Sequence, residues 1–328
     1  MKTIAIPALY TAQSIGAIGP FEILSKTCSL WRQIAQTDSG PLFDVRIVSS
    51  NRKPIVYANG VTITPTATIQ KCKPDIIIVP SLDEQIEDGL KQNAVYIAWL
   101  RKRFQDGTHV SSLCTGAFVL GAAGILDGKQ ATTHWYFADQ FKKRFPLARL
   151  REDQVIVDEG NVVTCGAATS FLNLIIYLVG KYFGHELAVH ASKIFLIDMD
   201  RPSQLPYRIF SPAIAHNDAA IARCQDFISH YLKTNLQLEA LAKQAGMSPR
   251  NFSRRFKAAT GNSVTGYIQK LRIEASKRLF EDSDRSAAEV TELVGYNDER
   301  SFRRLFKHHT GLSPRNYRAK FKVRAHMA

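Results

Sequence analysis

One stretch of this chain is written twice, and no other feature restricts its fold as strongly. Phe252, Phe256, Lys257, Thr260, Gly261, Ser263 and Tyr267 recur as Phe302, Phe306, Lys307, Thr310, Gly311, Ser313 and Tyr317, each pair 50 positions apart. Ahead of each copy runs a short helix-forming segment, Leu238 to Ala245 or Ala287 to Val294, followed by Gly246 or Gly295 and a basic helix. That pattern is helix, turn, helix, twice over. Glycine enters the left-handed backbone region without the steric penalty other residues meet, so one helix can stop and the next leave at a steep angle. Ala242, four residues before Gly246, sits where the two helices of the first copy cross. Its counterpart Thr291 is larger, so either that crossing loosens or the hydroxyl bonds back along its own helix.

Phe252 and Phe256 are four apart, as are Phe302 and Phe306, and each pair shares the helix face that turns to a core. The other faces carry Arg250, Ser253, Arg254 and Lys257 in the first copy, and Arg300, Arg303, Arg304 and Lys307 in the second. Residues 215–328 hold 21 Lys and Arg against 11 Asp and Glu, whereas residues 1–214 hold 22 against 18, so the positive excess belongs to the repeat. Arginine at matched positions on two such helices suits phosphate neutralisation and bidentate contact with guanine edges. Double-stranded DNA is therefore the expected partner.

Leu241-Ala242, Gly246, Phe252, Phe256-Lys257 and Thr260-Gly261 make the first half of a recognisable pattern. Val290, Gly295-Tyr296, Phe302, Phe306-Lys307, Thr310-Gly311-Leu312-Ser313-Pro314 and Tyr317-Arg318 make the second. Together they resemble the AraC/XylS transcription regulators over about a third of the chain. The resemblance implies one all-α DNA-binding domain, with two helix-turn-helix units joined by a long helix and their second helices in successive major grooves. It also implies a homodimer formed through the preceding domain, and contact with RNA polymerase. The joining helix has support of its own: the apolar Val264, Tyr267, Ile268, Leu271, Ala275 and Leu279 recur mostly at spacings of three and four.

With 328 residues and 45% hydrophobic content, the chain can fill two cores. The longest membrane-span candidate, Phe171 to Val179, is too short and contains Asn173. Met1 to Leu9 has one lysine and no cleavage-site pattern after it, so no signal peptide is expected and the protein is placed in the cytoplasm. Cys28, Cys72, Cys114, Cys165 and Cys224 are odd in number and lack Cys-x-x-Cys spacing, which argues against a disulfide framework and against a zinc site. No metal or other cofactor is expected.

Before the repeat, extended and helical segments alternate. Lys2 to Leu9 reads as a strand, Gly19-Pro20 as the start of a helix over Phe21 to Ile34, and Phe43 to Ser49 and Val61 to Thr64 as extended. Asp75 to Val79 is a mainly apolar run ended by Pro80, Glu84 to Phe104 reads as one helix, and His109 to Leu113 is a further buried strand. A continuous Ile/Val strand is buried on both faces, which marks a flavodoxin-like α/β fold, a parallel sheet with helices on both sides. The last strand runs into Cys114-Thr115-Gly116-Ala117 and a small-residue helix, Phe118 to Ala123. Such an elbow holds its residue at the C-terminal sheet edge, beside helix amides that favour a thiolate or an anion, and ligands collect at that edge.

Leu113 to Leu120, Gly124 to Lys129 and Ala131-Thr132-Thr133-His134-Trp135 resemble the ThiJ/PfpI branch of the class I glutamine-amidotransferase-like fold. With Gly19-Pro20-Phe21-Glu22 upstream, the resemblance extends to the GlxA-type subgroup, where this fold is fused to an AraC-type domain. It implies that Glu22 hydrogen-bonds Cys114, and that Glu22, Cys114, Thr115 and His134 line an effector pocket. Hydrolytic members carry histidine directly after the cysteine. Here Thr115 stands in that place and cannot take a proton at neutral pH, so no catalytic residue is expected. Thr164-Cys165-Gly166-Ala167 and Asn173 also depart from the relatives, which usually have serine, alanine, glycine and later aspartate.

Val155 to Val157 and Val162 to Thr164 read as a hairpin, and Ala168 to Phe183 and Glu186 to Ile197 as closing helices. Pro202, Pro206 and Pro212 break regular structure thereafter. The expected organisation is an effector-sensing α/β domain over residues 1–197, a linker over 198–213 and a DNA-binding domain over 214–328, opened by a helix that Asn217 caps. The expected function is a DNA-binding transcriptional regulator, more readily an activator, that senses a small metabolite. A cysteine hydrolase or amidase carrying a DNA-binding tail is the alternative. A ligand-blind architectural DNA binder would leave the Cys114 neighbourhood without a role.

Overall fold

A computed structural model describes residues 1–34, 42–212 and 216–322. Residue 213 of the expected linker, and residues 214–215 and 323–328 of the expected DNA-binding domain, lie outside the described residues. The chain divides into two compact units, Met1–Gln204 and Leu205–Ala328.

The first unit opens with β1 (Lys2–Pro7), α1 (Ile15–Ile34), β2 (Phe43–Ser49), and the short β3 (Ile55–Val56), β4 (Thr62–Ile63) and β5 (Ala67–Thr68). There follow β6 (Ile76–Val79), α2 (Ile86–Gln92), α3 (Ala94–Gln105), β7 (His109–Ser112) and α4 (Gly116–Ala122). It closes with β8 (Gln130–Ala131), α5 (Ala138–Arg144), β9 (Arg149–Leu150), β10 (Ile156–Asp158), β11 (Val162–Cys165), α6 (Phe171–Phe183) and α7 (His185–Ile194). The main sheet runs β10-β11-β7-β6-β1-β2-β5, parallel throughout except where β10 meets β11. Its central strands follow the flavodoxin-like order, reversing direction of growth between β1 and β6. Ile76 to Val79 are all buried, as the unbroken Ile/Val run requires. One packed group of helices is α1, α6 and α7, and another is α2, α3 and α4.

Two expected helices differ from the observed ones. Helix α1 starts at Ile15, so Pro20 lies inside it rather than in its first turn. The stretch read as one helix from Glu84 to Phe104 is broken at Asn93. Fully buried Asn93 accepts from the Tyr10 N–H at 2.9 Å and donates to the carbonyls of Tyr10 and Gly89, both at 2.8 Å. A side chain committed to three backbone partners holds the break open.

The second unit is helical: α8 (Ala219–His230), α9 (Leu238–Gln244), α10 (Pro249–Thr260), α11 (Val264–Asp282), α12 (Ala287–Leu293), α13 (Glu299–Thr310) and α14 (Pro314–Phe321). The residue that caps α8 is Asp218, accepting from the Ile221 N–H, one position after the expected Asn217. Each repeated residue has a physical task. Phe252, Phe256, Phe302 and Phe306 are fully buried. Thr260 and Thr310 donate back to the carbonyls of Phe256 and Phe306, both at 2.8 Å, while Gly261 and Gly311 end α10 and α13 in the left-handed region. Ser263 and Ser313 then cap α11 and α14. Tyr267 and Tyr317 meet Phe256 and Phe306 edge-on at 5.2 and 5.3 Å. The Thr291 hydroxyl bonds back to the Ala287 carbonyl at 2.7 Å, which satisfies it at the crossing.

The expected linker over 198–213 is shared between the units instead. Ser203 bridges to Gln154, the Val155 N–H donates to Pro202, and Gln204 is buried in the first unit, while Leu205 onward packs with the second. The prolines leave no long helix or strand here, yet the carbonyls and side chains remain able to bond.

Candidate functional site

Strand β7 ends in a backbone conformation unusual for a residue with a side chain. Cys114 sits at φ +52°, in the left-handed region, with its N–H on the Cys165 carbonyl at 3.0 Å. Two residues on, a Cβ on Gly116 would lie 2.6 Å from the Pro80 carbonyl oxygen and 2.8 Å from that of Val79. Only glycine lets α4 leave this close to the end of β6. The elbow therefore stands at the C-terminal sheet edge, next to the strand pair where the order reverses.

Cys114 is 6% exposed. Burial pushes its thiol up, against the opposing pull of the Ala168 and Thr115 amides. The thiol at this elbow is thus a protonated group facing two N–H donors. The Thr115 hydroxyl donates to the Leu82 carbonyl at 2.6 Å and so fastens the turn. Thr133 donates to the Cys114 carbonyl at 3.0 Å, which brings the next residue, His134, into the elbow's neighbourhood. Half-buried His134 caps a short turn by accepting from the Tyr136 N–H at Nδ1, and burial pushes its pKa down, so it is neutral at pH 7 with its proton on Nε2.

Glu22 requires a correction. Its side chain is 56% exposed and lies 3.9 Å from Lys26, and no bond to Cys114 is present. The cause is the early start of α1: Gly16 is the helix residue against the elbow's neighbours, where an added Cβ would sit 3.2 Å from both Pro80 Cβ and Ser81 Oγ. Glu22 is six residues further along, about one and two-thirds turns, and so faces elsewhere.

Gln204, unremarkable in the sequence, ties this neighbourhood together. It is 3% exposed, and its Nε2 lies 3.1 Å from Thr132 Oγ1, 3.0 Å from the Thr133 carbonyl and 2.9 Å from the Gln154 carbonyl. Its Oε1 accepts from the Ala167 N–H at 3.0 Å. A Cβ on Gly166 would fall 2.3 Å from its Cδ, so glycine at this position makes room for this side chain.

In the helical unit, Arg250, Arg254 and Lys257 on α10 and Arg300, Arg303, Arg304 and Lys307 on α13 are exposed, with Ser253 half-buried among them. Arg303 is held by Glu299, Nε to Oε1 at 2.8 Å. Arg255 belongs to a different set: its guanidinium grips both carboxylate oxygens of Asp218 at 2.9 and 2.8 Å. Beside α13, a groove of about 660 Å³ is lined by Arg303, Arg304, Lys307, Arg315 and Arg318 over Phe280. Arg315 and Arg318 replace Thr265 and Ile268 of the first copy, a difference visible when the two copies are aligned.

Residues 2–180, more than half of the chain, match the DJ-1/PfpI family. The chain belongs to the DJ-1/PfpI family. Residues 241–320 match a helix-turn-helix domain, so a DJ-1/PfpI domain is followed here by an AraC-type helix-turn-helix domain. The chain is 23% identical over 295 residues to the HTH-type transcriptional regulator CdhR of Pseudomonas aeruginosa, covering 89% of this chain and 87% of that one. It is 27% identical over 209 residues to the HTH-type transcriptional regulator GlxA of Rhizobium meliloti, covering 63% and 64%. It is also 27% identical over 233 residues to an isonitrile hydratase of Pseudomonas putida, covering 70% and 92%. Among the described residues no helix is long and apolar enough to cross a membrane.

Proposed function

We propose that this member of the DJ-1/PfpI family is a cytoplasmic DNA-binding transcriptional regulator, whose α/β domain takes up a small-molecule effector at the Cys114 elbow. The observation that carries the reading is the pair α10 and α13: two helices of one build in one unit, with buried phenylalanines behind and exposed arginines in front. Arg250, Ser253, Arg254 and Lys257 meet one major groove of promoter DNA, and Arg300, Arg303, Arg304 and Lys307 the next. Cys114, Thr115 and His134 remain the effector-side residues, with Glu22 withdrawn. A ligand there alters DNA binding only by favouring one of two arrangements, for which a homodimer offers a natural pair, and transcription follows through contact with RNA polymerase.

The isonitrile hydratase relative supports a second reading, in which the elbow turns over its ligand. Against it stand a thiol raised by burial, a neutral His134 whose Nδ1 is already engaged, and a Thr115 hydroxyl tied to Leu82. The experiment is to enrich a DNA duplex from a random pool with the purified chain, then find a metabolite that changes its affinity. Mass spectrometry follows both the metabolite and the Cys114 peptide. A chemically unchanged metabolite, with its effect shifted in Cys114→Ser, is expected; conversion that Cys114→Ser and His134→Ala abolish would establish the enzyme instead.

A further inference from the structure

The two helix-turn-helix halves do not share a core. Ile221, Leu241, Phe252, Phe256 and Tyr267 belong to one cluster, and Ile273, Val290, Phe302, Phe306 and Tyr317 to another. The angle between α10 and α13 therefore depends on what joins the halves. Helix α11 passes through both. Arg272 donates to the Leu232 and Thr234 carbonyls of the first half, at 3.1 and 2.8 Å, and lies 5.1 Å over the Tyr296 ring of the second. The third join is the segment that enters the unit, Leu205 to Phe210.

This segment touches each half with an aromatic ring. A 3-10 turn over Leu205–Tyr207 packs on α13, and the Tyr207 ring meets Phe321 edge-on at 5.4 Å, with Lys320 Nζ 5.2 Å from its centre. Phe210 meets Tyr267 edge-on at 5.6 Å under Lys270 Nζ at 5.3 Å, and packs on the first core. Between the rings, the Arg208 carbonyl accepts from Nζ of Lys277 on α11. Lys277 is 5% exposed, and its other partner is Glu274 Oε1 at 2.6 Å. A buried amine is costly unless its N–H groups find acceptors, so the carbonyl of the segment is part of what makes this lysine tolerable. Half-buried His309 of α13 lies close to Arg208, Lys270 and Lys277. Burial first, then the neighbouring His308 and those cations, hold its pKa down at about 4, so it adds no charge to the seam at neutral pH.

We infer that Leu205–Phe210 is a strap that sets the placement of α13 relative to α10, and that Tyr207 and Lys277 are positioning residues for two-groove DNA recognition. The inference rests on the reading that both helices enter DNA. Successive major grooves face the protein once per helical turn, roughly every 34 Å, so a pair of reading helices needs a fixed separation to engage both at once. Neither residue belongs to the basic faces: Lys277 is buried, and Tyr207 packs edge-on against Phe321. Releasing the strap costs rigidity rather than contacts, and the loss appears only where both grooves must be met together.

The test uses the full-length chain as wild type, Tyr207→Ala, Lys277→Met and, as a control on the strap's outer side, Ile209→Ser, whose side chain is 64% exposed. Three probes serve: the duplex enriched from a random pool by wild type, that duplex with one groove's site scrambled, and that duplex with one base pair inserted between the sites. Thermal melting by circular dichroism confirms folding, and if Lys277→Met melts early, Tyr207→Ala carries the test alone. Tyr207→Ala and Lys277→Met should bind the intact duplex about tenfold more weakly, the scrambled duplex as wild type does, and tolerate the inserted base pair better than wild type. Ile209→Ser should match wild type on all three. Wild-type affinity of Tyr207→Ala for the intact duplex, or equal weakening on intact and scrambled duplexes, overturns the strap. Indifference of wild type to scrambling either site refutes the two-groove reading itself and takes the strap with it.

Discussion

Arg254 and Arg255 are neighbours in the chain with the same charge, and the structure gives them different partners. About 100° of helix separates them. Arg254 stands on the exposed basic face, with Nη2 3.0 Å from Asn251 Oδ1. Arg255 reaches back to Asp218, the residue that caps α8, and binds α10 to the entrance of the first half. Replacing Arg254 by alanine should weaken specific DNA binding by about 1–3 kcal/mol, a factor of about 5 to 150, and leave the melting temperature alone. Arg304→Ala should do the same from α13. Where the lost contact is to phosphate, the slope of log K against log salt concentration flattens by about 0.9; where it is to a base edge, the slope holds and specificity at that position relaxes. Arg255→Ala should lower the melting temperature while affinity and salt slope stay near wild type. Arg223→Ala on α8 should change neither. Fluorescence anisotropy titrations at four salt concentrations, beside thermal melts, measure all of this. Arg255→Ala losing as much affinity as Arg254→Ala, without a change in melting, would show the reading face to be rotated by one residue and refute the assignment.

Two further outcomes follow from buried groups. The folded-state pKa of His309 is depressed to about 4, below the ordinary value of 6.5, so the unfolded chain binds its proton first on acidification. Its contribution is fully present above pH 6.5 and is lost as pH falls toward 4, at up to about 1.4 kcal/mol per pH unit. Urea midpoints between pH 7 and pH 4.5 should fall less steeply in His309→Gln, and equal slopes would remove His309 from the seam. Gln204→Ala strips hydrogen-bond partners from the Ala167 N–H and from the Thr133 and Gln154 carbonyls. It should cost about 2–3 kcal/mol in urea unfolding of the α/β unit, and Gln204→Glu, which keeps the shape but sets a buried carboxylate oxygen against the Thr133 and Gln154 carbonyls, should cost at least as much; a midpoint unchanged in Gln204→Ala would show these bonds to be dispensable.

What could be read from the sequence, and what could not, divides by the range of the interaction. The helix-turn-helix repeat was legible because each of its parts is set by residues a few positions apart: a threonine bonding back four residues, a glycine ending the helix, a serine opening the next. The buried β6 and the cysteine elbow were legible for the same reason, since a run of Ile and Val and a Cys-Thr-Gly-Ala turn need no distant partner to be recognised. Glu22 failed because its role was carried over from a resemblance, while the facing of a helix residue depends on where the helix starts. Helix α1 begins at Ile15, before Pro20, and that turns Gly16 rather than Glu22 toward Pro80 and Ser81. Gln204, Arg255 and Lys277 were not found, because each acts on a partner 37 to 72 positions away, through bonds that leave no period in the sequence. The proline-rich segment shows the limit most clearly. Proline density rightly leaves no long regular element there, but absence of a long element is not absence of contacts, and from Ser203 to Phe210 this segment holds the residues that fasten the elbow's neighbourhood at one end and the two helix-turn-helix halves at the other.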